Sequence, residues 1–269
     1  MPDTVPPADD LVAMLHAHDT QLRAGAEMTA ARLVTTDGPL LRGVFPWGGF
    51  VTYSSLEGVD DVDALIEDTV AHFRDQTEVA QFEWKTHGHD APADLPERLL
   101  AHGFEAEELD TVMAGSVSHL MGEVGTCPAG LRVRRAGDGA ELADDVARAT
   151  ALQQEVFGRG PSAAEALERL SASDGASMWL VERGDQVLCA GRLEVVQGTD
   201  FAGLWGGATH PDWRGRGLYR ALTAARARHA HGLGVRFLYV ECSPMSQPIL
   251  ERSGLSRITT TTPYVWQRA

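Results

Sequence analysis

The chain has 269 residues, room for one large domain or two ordinary ones at roughly 100–200 residues each. Hydrophobic residues make up 43% and charged residues 23%, close to the globular average, which excludes a chain disordered throughout. A formal net charge of −15 excludes a nonspecific nucleic-acid binder, because phosphate backbones are held by Lys and Arg.

The start, Met1-Pro2-Asp3-Thr4, lacks the basic and apolar stretches of a signal peptide, and no window approaches the roughly 20 apolar residues of a membrane helix. A cytoplasmic protein with no membrane partner is expected. Thr4 to Asp10, with its prolines, reads as a tail or helix entry, and Leu11, Leu15 and Leu22 give an amphipathic helix. Ala31 to Leu56 is a meander of short strands, broken by Asp37-Gly38-Pro39 and Trp47-Gly48-Gly49. Asp60 to Gln76 has Val62, Leu65, Ile66, Val70 and Phe73 at helical spacing behind a run of acids that suits a helix start. Val79 to Lys85 is a strand, Asp94 to His102 a helix stopped by Gly103, and Leu109 to Gly115 the last strand of this half. His87-Gly88-His89-Asp90 between them reads as a surface loop rather than a metal site.

Ser116 to Gly130 reads as a linker segment, with the domain limits set at 1–120 and 131–269 and residues 121–130 linking them. There Leu131 to Arg135 is a strand, and Ala140 to Phe157 and Pro161 to Ser171 are helices. Ser177 to Arg183 and Val187 to Val196 make a hairpin around Gly184-Asp185. Asp200 to Thr209 is a strand, Gly215 to His231 a helix, Phe237 to Cys242 a strand and Gln247 to Ser253 a short helix. Two strands, Arg257 to Thr261 and Tyr264 to Gln267, finish the chain. The halves echo each other: in each, a helix precedes an apolar strand, and a short helix then ends in Gly103-Phe104 or Gly254-Leu255.

Charge divides unevenly. Residues 1–126 hold 6 bases and 23 acids, 6 − 23 = −17, whereas residues 127–269 hold 17 bases and 15 acids, 17 − 15 = +2. An anionic small ligand should therefore prefer the second half. The cysteines, Cys127, Cys189 and Cys242, have no C-x-x-C spacing and read as reduced thiols; no metal is expected.

The segment richest in chemistry runs from Ala208 and Thr209 through Arg214-Gly215-Arg216-Gly217-Leu218-Tyr219 to Leu222, where a strand passes into a helix. Two glycines let backbone approach a ligand, and the free N–H groups of a helix start point at it with the positive dipole end behind them. Arg214, Arg216 and Arg220 add cations suited to phosphate oxygens. The alternative is an ordinary strand-to-helix turn with solvated arginines.

The run resembles the coenzyme A motif of the GNAT N-acetyltransferase superfamily, in which Arg or Gln is followed after two residues by Gly, one residue, and Gly or Ala. Arg214 and Gly217 match; Tyr219 stands where a small residue is usual. The resemblance covers the order of elements from Leu131 to the C-terminus. It implies acetyl-coenzyme A as co-substrate, cofactor binding by Ala208, Thr209, Arg214, Gly215, Arg216, Gly217, Leu218 and Tyr219, and a facing wall of Glu241-Cys242-Ser243 leading to Ser246. Residues up to about Ser116 resemble a degenerate GNAT domain with Glu57, Asp60, Asp61 and Asp63 in place of the motif, and carboxylates there would repel a pyrophosphate. The expected fold is thus α/β (α+β): two GNAT-like domains, each a mixed, mainly antiparallel sheet flanked by helices.

Direct acetyl transfer needs a deprotonated amine, a polarised thioester carbonyl and a proton for the departing thiolate. The tyrosine that the family often places in the short helix corresponds to Leu250, its asparagine to Ser243, and its strand glutamate falls near Gly206 and Gly207. Candidate substitutes are Glu241 and Glu194 as bases and Ser243 as a hydrogen-bonding group at the sulfur. Each carboxylate also reads as a solvated strand residue, and Ser243 or Ser246 as a helix cap. The reading is an acetyl-coenzyme A-dependent N-acetyltransferase acting on a primary amine of a small molecule or peptide, as a monomeric pseudo-dimer or a homodimer. The alternatives are a non-catalytic acyl-coenzyme A sensor, or an acidic first domain that docks a basic partner.

Overall fold

The secondary structure of the computed structural model, which describes residues 8–122 and 127–268, follows these periodicities closely. In chain order it has α1 (Ala8–Gln21), β1 (Leu33–Asp37), β2 (Leu40–Phe45), β3 (Gly48–Tyr53), α2 (Val62–Gln76), β4 (Gln81–His87), α3 (Leu95–Ala101), β5 (Glu105–Ala106), β6 (Asp110–Ser116) and α4 (Val117–Gly122). There follow β7 (Arg132–Arg135), α5 (Ala140–Phe157), α6 (Ala163–Ala172), β8 (Ala176–Arg183), β9 (Gln186–Val195), β10 (Phe201–Thr209), α7 (Leu218–Gly232), β11 (Phe237–Cys242), α8 (Gln247–Glu251) and β12 (Ser256–Gln267).

The chain divides into two units. The first holds residues 7–112, 241–244 and 257–269. In it β1, β2 and β3 form the expected antiparallel meander, β3 runs parallel to β4, and β12 lies antiparallel on the other side of β4. The Asp61 carboxylate caps α2 by accepting from Ala64 N at 2.9 Å. That helix lays Ile66 and Phe73 on a core of Val51, Tyr53, Phe82, Trp84, Leu99 and Tyr264.

The second unit holds residues 113–240 and 245–256. Its sheet order is β11-β10-β9-β8-β7, antiparallel except where β10 meets β11. The periodic apolar positions Val146, Ala149 and Leu152 of α5 pack with Leu170 of α6 on Met178, Leu180, Ala190 and Ala208 of the sheet. The capping box of Ser162 and Glu165 starts α6.

Four expectations differ from what is observed. The last thirteen residues group with the first unit, because β12 registers along all of β4, from Thr261 opposite His87 to Gln267 opposite Gln81. The two terminal strands are one: Pro263 stays in register with Lys85, and its carbonyl accepts from Glu107 N at 2.9 Å, so the missing N–H breaks nothing. Part of the expected linker is α4, whose Val117 and Leu120 are buried and which packs on α7; residues 123–126 lie outside the described residues. Finally, His87 is buried and so is the side chain of Asp90, on either side of the exposed Gly88 and His89: Asp90 accepts from Tyr53 Oη at 2.6 Å and His87 N at 2.7 Å, and pairs with Arg23 at 2.9 Å. Among the described residues no group of three or more side chains could hold a metal ion.

Candidate coenzyme A site

In the second unit β10 and β11 pair at Phe201–Phe237, Ala202–Leu238 and Gly203–Tyr239, where their ladder stops. Beyond that point β10 continues to Thr209 along β9 alone. The divergence coincides with a bulge: Trp205 faces Arg192 and Ala208 faces Ala190, so Gly206 and Gly207 together oppose Gly191. Gln153 of α5 donates to the Gly206 carbonyl at 2.6 Å, and Gly206 has φ +60°, so the kink is held from outside the strand.

Past Thr209 the chain makes a turn of 3₁₀ helix, Pro211–Trp213, with His210 Nδ1 accepting from Asp212 N at 3.3 Å. Gly215 (φ +72°) and Gly217 (φ +80°) adopt left-handed conformations, and nothing lies within 4 Å of where a Cβ would stand on either. Gly217 is the N-cap of α7 and offers no side chain to its N–H groups. The start of a fifteen-residue helix is thereby left open, with its dipole behind it. Arg214, Arg216 and Arg220 are exposed here, and Arg214 Nε donates to the Thr209 carbonyl at 3.3 Å. The sequence-predicted Ala208, Thr209 and Arg214 to Tyr219 thus come together on one strand-to-helix connection.

Tyr219 accounts for a glycine on the opposite strand. Its ring lies so close to β10 that a Cβ on Gly207 would stand 2.6 Å from Cε2 and 2.9 Å from the hydroxyl. Behind the ring lies Arg226, fully buried, its guanidinium 5.6 Å from the ring centre and donating to Arg192 O at 3.1 Å and Thr223 Oγ1 at 3.3 Å. The bulky residue at a position that is usually small therefore packs against a strand position that has no side chain.

Both carboxylates proposed as bases have partners. Glu194 accepts from Ser173 Oγ at 3.0 Å and lies 3.2 Å from Arg192 Nε. Burial lowers the Arg192 guanidinium, and Glu194 works against that. Ser246 is the N-cap of α8 but makes no side-chain cap bond. Glu241 and Ser243 belong to the first unit, where Glu241 accepts from Lys85 Nζ at 2.7 Å. Lys85 also lies 3.4 Å from Glu27. Burial works to lower the Lys85 ammonium, yet the charges of Glu241 and Glu27 overcome it and hold it above the usual lysine range. Burial, helped by Glu107, Glu241 and Glu27 and opposed by Lys85, pushes Glu83 up to about 7. Cys189 is buried, which pushes its thiol up to about 11, unsuited to a nucleophile. Gln153 and Lys85 had no local signal in the sequence: the first meets Gly206 across 53 positions and the second meets Glu241 across 156.

Comparison with known proteins bears on the fold. The family described as Acetyltransferase (GNAT) matches residues 146–252. No curated protein matches the sequence. A GCN5-related N-acetyltransferase from Kribbella flavida is similar at TM-score 0.68 and 15% identity over 96% of each chain. One from Sphaerobacter thermophilus gives 0.61 and 15% over 85% of this chain and 76% of that one. A tandem GNAT protein from the clavulanic acid biosynthesis pathway gives 0.57 and 15% over 97% and 96%. The divergent strands, the open helix start and the motif between them thus lie within the residues that match the GNAT acetyltransferase family, in a chain whose fold is like that of a tandem GNAT protein.

Proposed function

We propose that the second unit transfers the acetyl group of acetyl-coenzyme A directly to a primary amine. The observation that carries this reading is the uncapped start of α7 with left-handed, unobstructed Gly215 and Gly217, beside a strand that parts from its parallel neighbour after Gly203. These residues fit the group: the N–H groups of Leu218, Tyr219 and Arg220 and the guanidinium group of Arg214 would hold its diphosphate. Acetyl-coenzyme A supplies the activated thioester when bound.

The chain's own part is binding, orientation and proton handling. The bulged Gly206–Gly207 segment, fixed through Gln153, leaves the β9 ladder, and its main-chain N–H groups would be the donors to a carbonyl laid along β10. Glu194 is the carboxylate of the second unit on the strand beside the divergence, opposite Gly203, and takes the amine proton directly or through water. Much of the rate comes from holding amine and thioester together. The surplus acidity of residues 1–126 favours a cationic acceptor.

A second reading, an acyl-coenzyme A sensor without turnover, draws on the engagement of Glu194 with Arg192 and of Glu241 with Lys85. Thiol release from acetyl-coenzyme A in the presence of a panel of polyamines, amino sugars and lysine peptides separates the two. Turnover with any amine supports the transferase; micromolar binding with no release across the panel supports the sensor and overturns it.

A further inference from the structure

Two arginines from different elements converge on one indole beside this site. Arg183, the last residue of β8 at the tip of the β8–β9 hairpin, and Arg216, from the loop before α7, each place their guanidinium carbon 4.7 Å from the centre of the Trp213 ring. Trp213 is half-buried and both arginines are exposed. Among the described residues no carboxylate lies within ion-pair distance of Arg183, Arg214, Arg216 or Arg220, although Asp185 and Asp212 are near in sequence. Arg134, Arg148 and Arg236 of the same unit are each paired with one. The ring attracts each cation, but two like charges gathered on it repel one another, and nothing in the protein neutralises them. Arg183 lies outside the glycine-rich motif, so the helix start alone does not account for it.

We infer that Arg183, Arg216 and Trp213 form a second anion subsite, distinct from the diphosphate cradle, that takes the phosphomonoester on the ribose of coenzyme A. A dianionic phosphate relieves the repulsion and accepts forked hydrogen bonds from both guanidinium groups. The indole holds those groups in place beforehand. Arg183 is then the specificity residue that separates coenzyme A from its 3′-dephospho form. This rests on the proposed binding of acetyl-coenzyme A.

The test is calorimetric titration of the full chain with coenzyme A and with 3′-dephospho-coenzyme A, for wild type, Arg183→Ala and Arg183→Glu. Wild type is expected to prefer coenzyme A by at least about tenfold, the preference shrinking as salt rises. Arg183→Ala should remove most of that preference while changing affinity for the dephospho form less than about threefold, and Arg183→Glu should invert it. Equal binding of the two ligands by wild type, or an equal loss for both in Arg183→Ala, overturns the subsite and leaves the acetyltransferase reading intact. Binding of neither ligand by wild type overturns both.

Discussion

The open α7 start predicts the outcome of Gly217→Glu. At φ +80° any side chain strains the backbone, by about 1–2 kcal/mol for an L-residue in the left-handed region. Nothing within 4 Å obstructs a Cβ there, so the protein still folds, with a lower melting temperature. The carboxylate would then lie beside the diphosphate. Two unit charges about 5 Å apart interact by roughly 3 kcal/mol at an effective dielectric near 20, and exposure to salt reduces this to about 2. Gly217→Ala carries the same backbone strain without the charge, and separates the two effects. Titration with acetyl-coenzyme A should show Gly217→Glu weakened about thirtyfold or more and Gly217→Ala by much less, with both melting alike. Wild-type affinity in Gly217→Glu would refute the cradle. An equal loss in Gly217→Ala would refute the electrostatic argument and leave only the backbone conformation.

Gln153→Ala removes the hydrogen bond that holds the β10 bulge; it should cost about 1 kcal/mol of stability and lower kcat more than KM, as read from melts and thiol-release kinetics. Lys85→Met leaves Glu241 and Glu27 without their shared cation, and denaturant titration at pH 8 should show a loss of about 2 kcal/mol, the partial exposure of the pair keeping it below the buried-pair range. Stability should also depend on pH in two opposed ways. Glu83, raised to about 7 when folded, contributes stability that is full below the unfolded carboxyl value and is lost as pH rises through 7, so Glu83→Gln should flatten the decline between pH 5 and 7. His87 is lowered to about 2, first by burial and then by Arg23 and Lys85. The unfolded chain therefore takes up a proton that the folded one refuses, and stability falls as pH drops below 6.5, a slope that His87→Gln should remove.

Much of this was legible in the sequence because it was local. Helical spacing at Val62, Ile66 and Phe73, the Gly184-Asp185 turn and the glycines of residues 214–219 each report on neighbours within a few positions, and each element stands where its pattern placed it. What escaped was set at long range. The placement of β12 depends on a strand some 180 positions earlier, and Pro263 reads as a break until its carbonyl is seen to be used. His87 and Asp90 look like loop residues because polarity is a poor guide to burial when Arg23 and Tyr53 supply the partners. Tyr219 departs from its motif, and the compensation, a bare strand at Gly207, becomes visible only when helix and strand are set side by side.

The two units repeat one arrangement, a strand running parallel to the next with a helix between them, and differ in how that helix begins. In the first unit β3 and β4 pair last at Val51 and Trp84, close to where Asp90 gathers Tyr53, the His87 amide and Arg23. The helix between them, α2, is closed by the Asp61 carboxylate on Ala64 N, which meets one of its free N–H groups and sets a negative charge at its positive end. In the second unit the corresponding helix begins at a glycine with no capping side chain, near Arg183, Arg214, Arg216 and Arg220, which have no carboxylate within ion-pair distance among the described residues. An N-terminus that already holds a carboxylate disfavours a second anion, whereas one left open beside uncompensated cations stays incomplete until an anion arrives. The same fold element is thus finished in one unit and unfinished in the other, and that difference is the physical basis for assigning acyl-coenzyme A to the second.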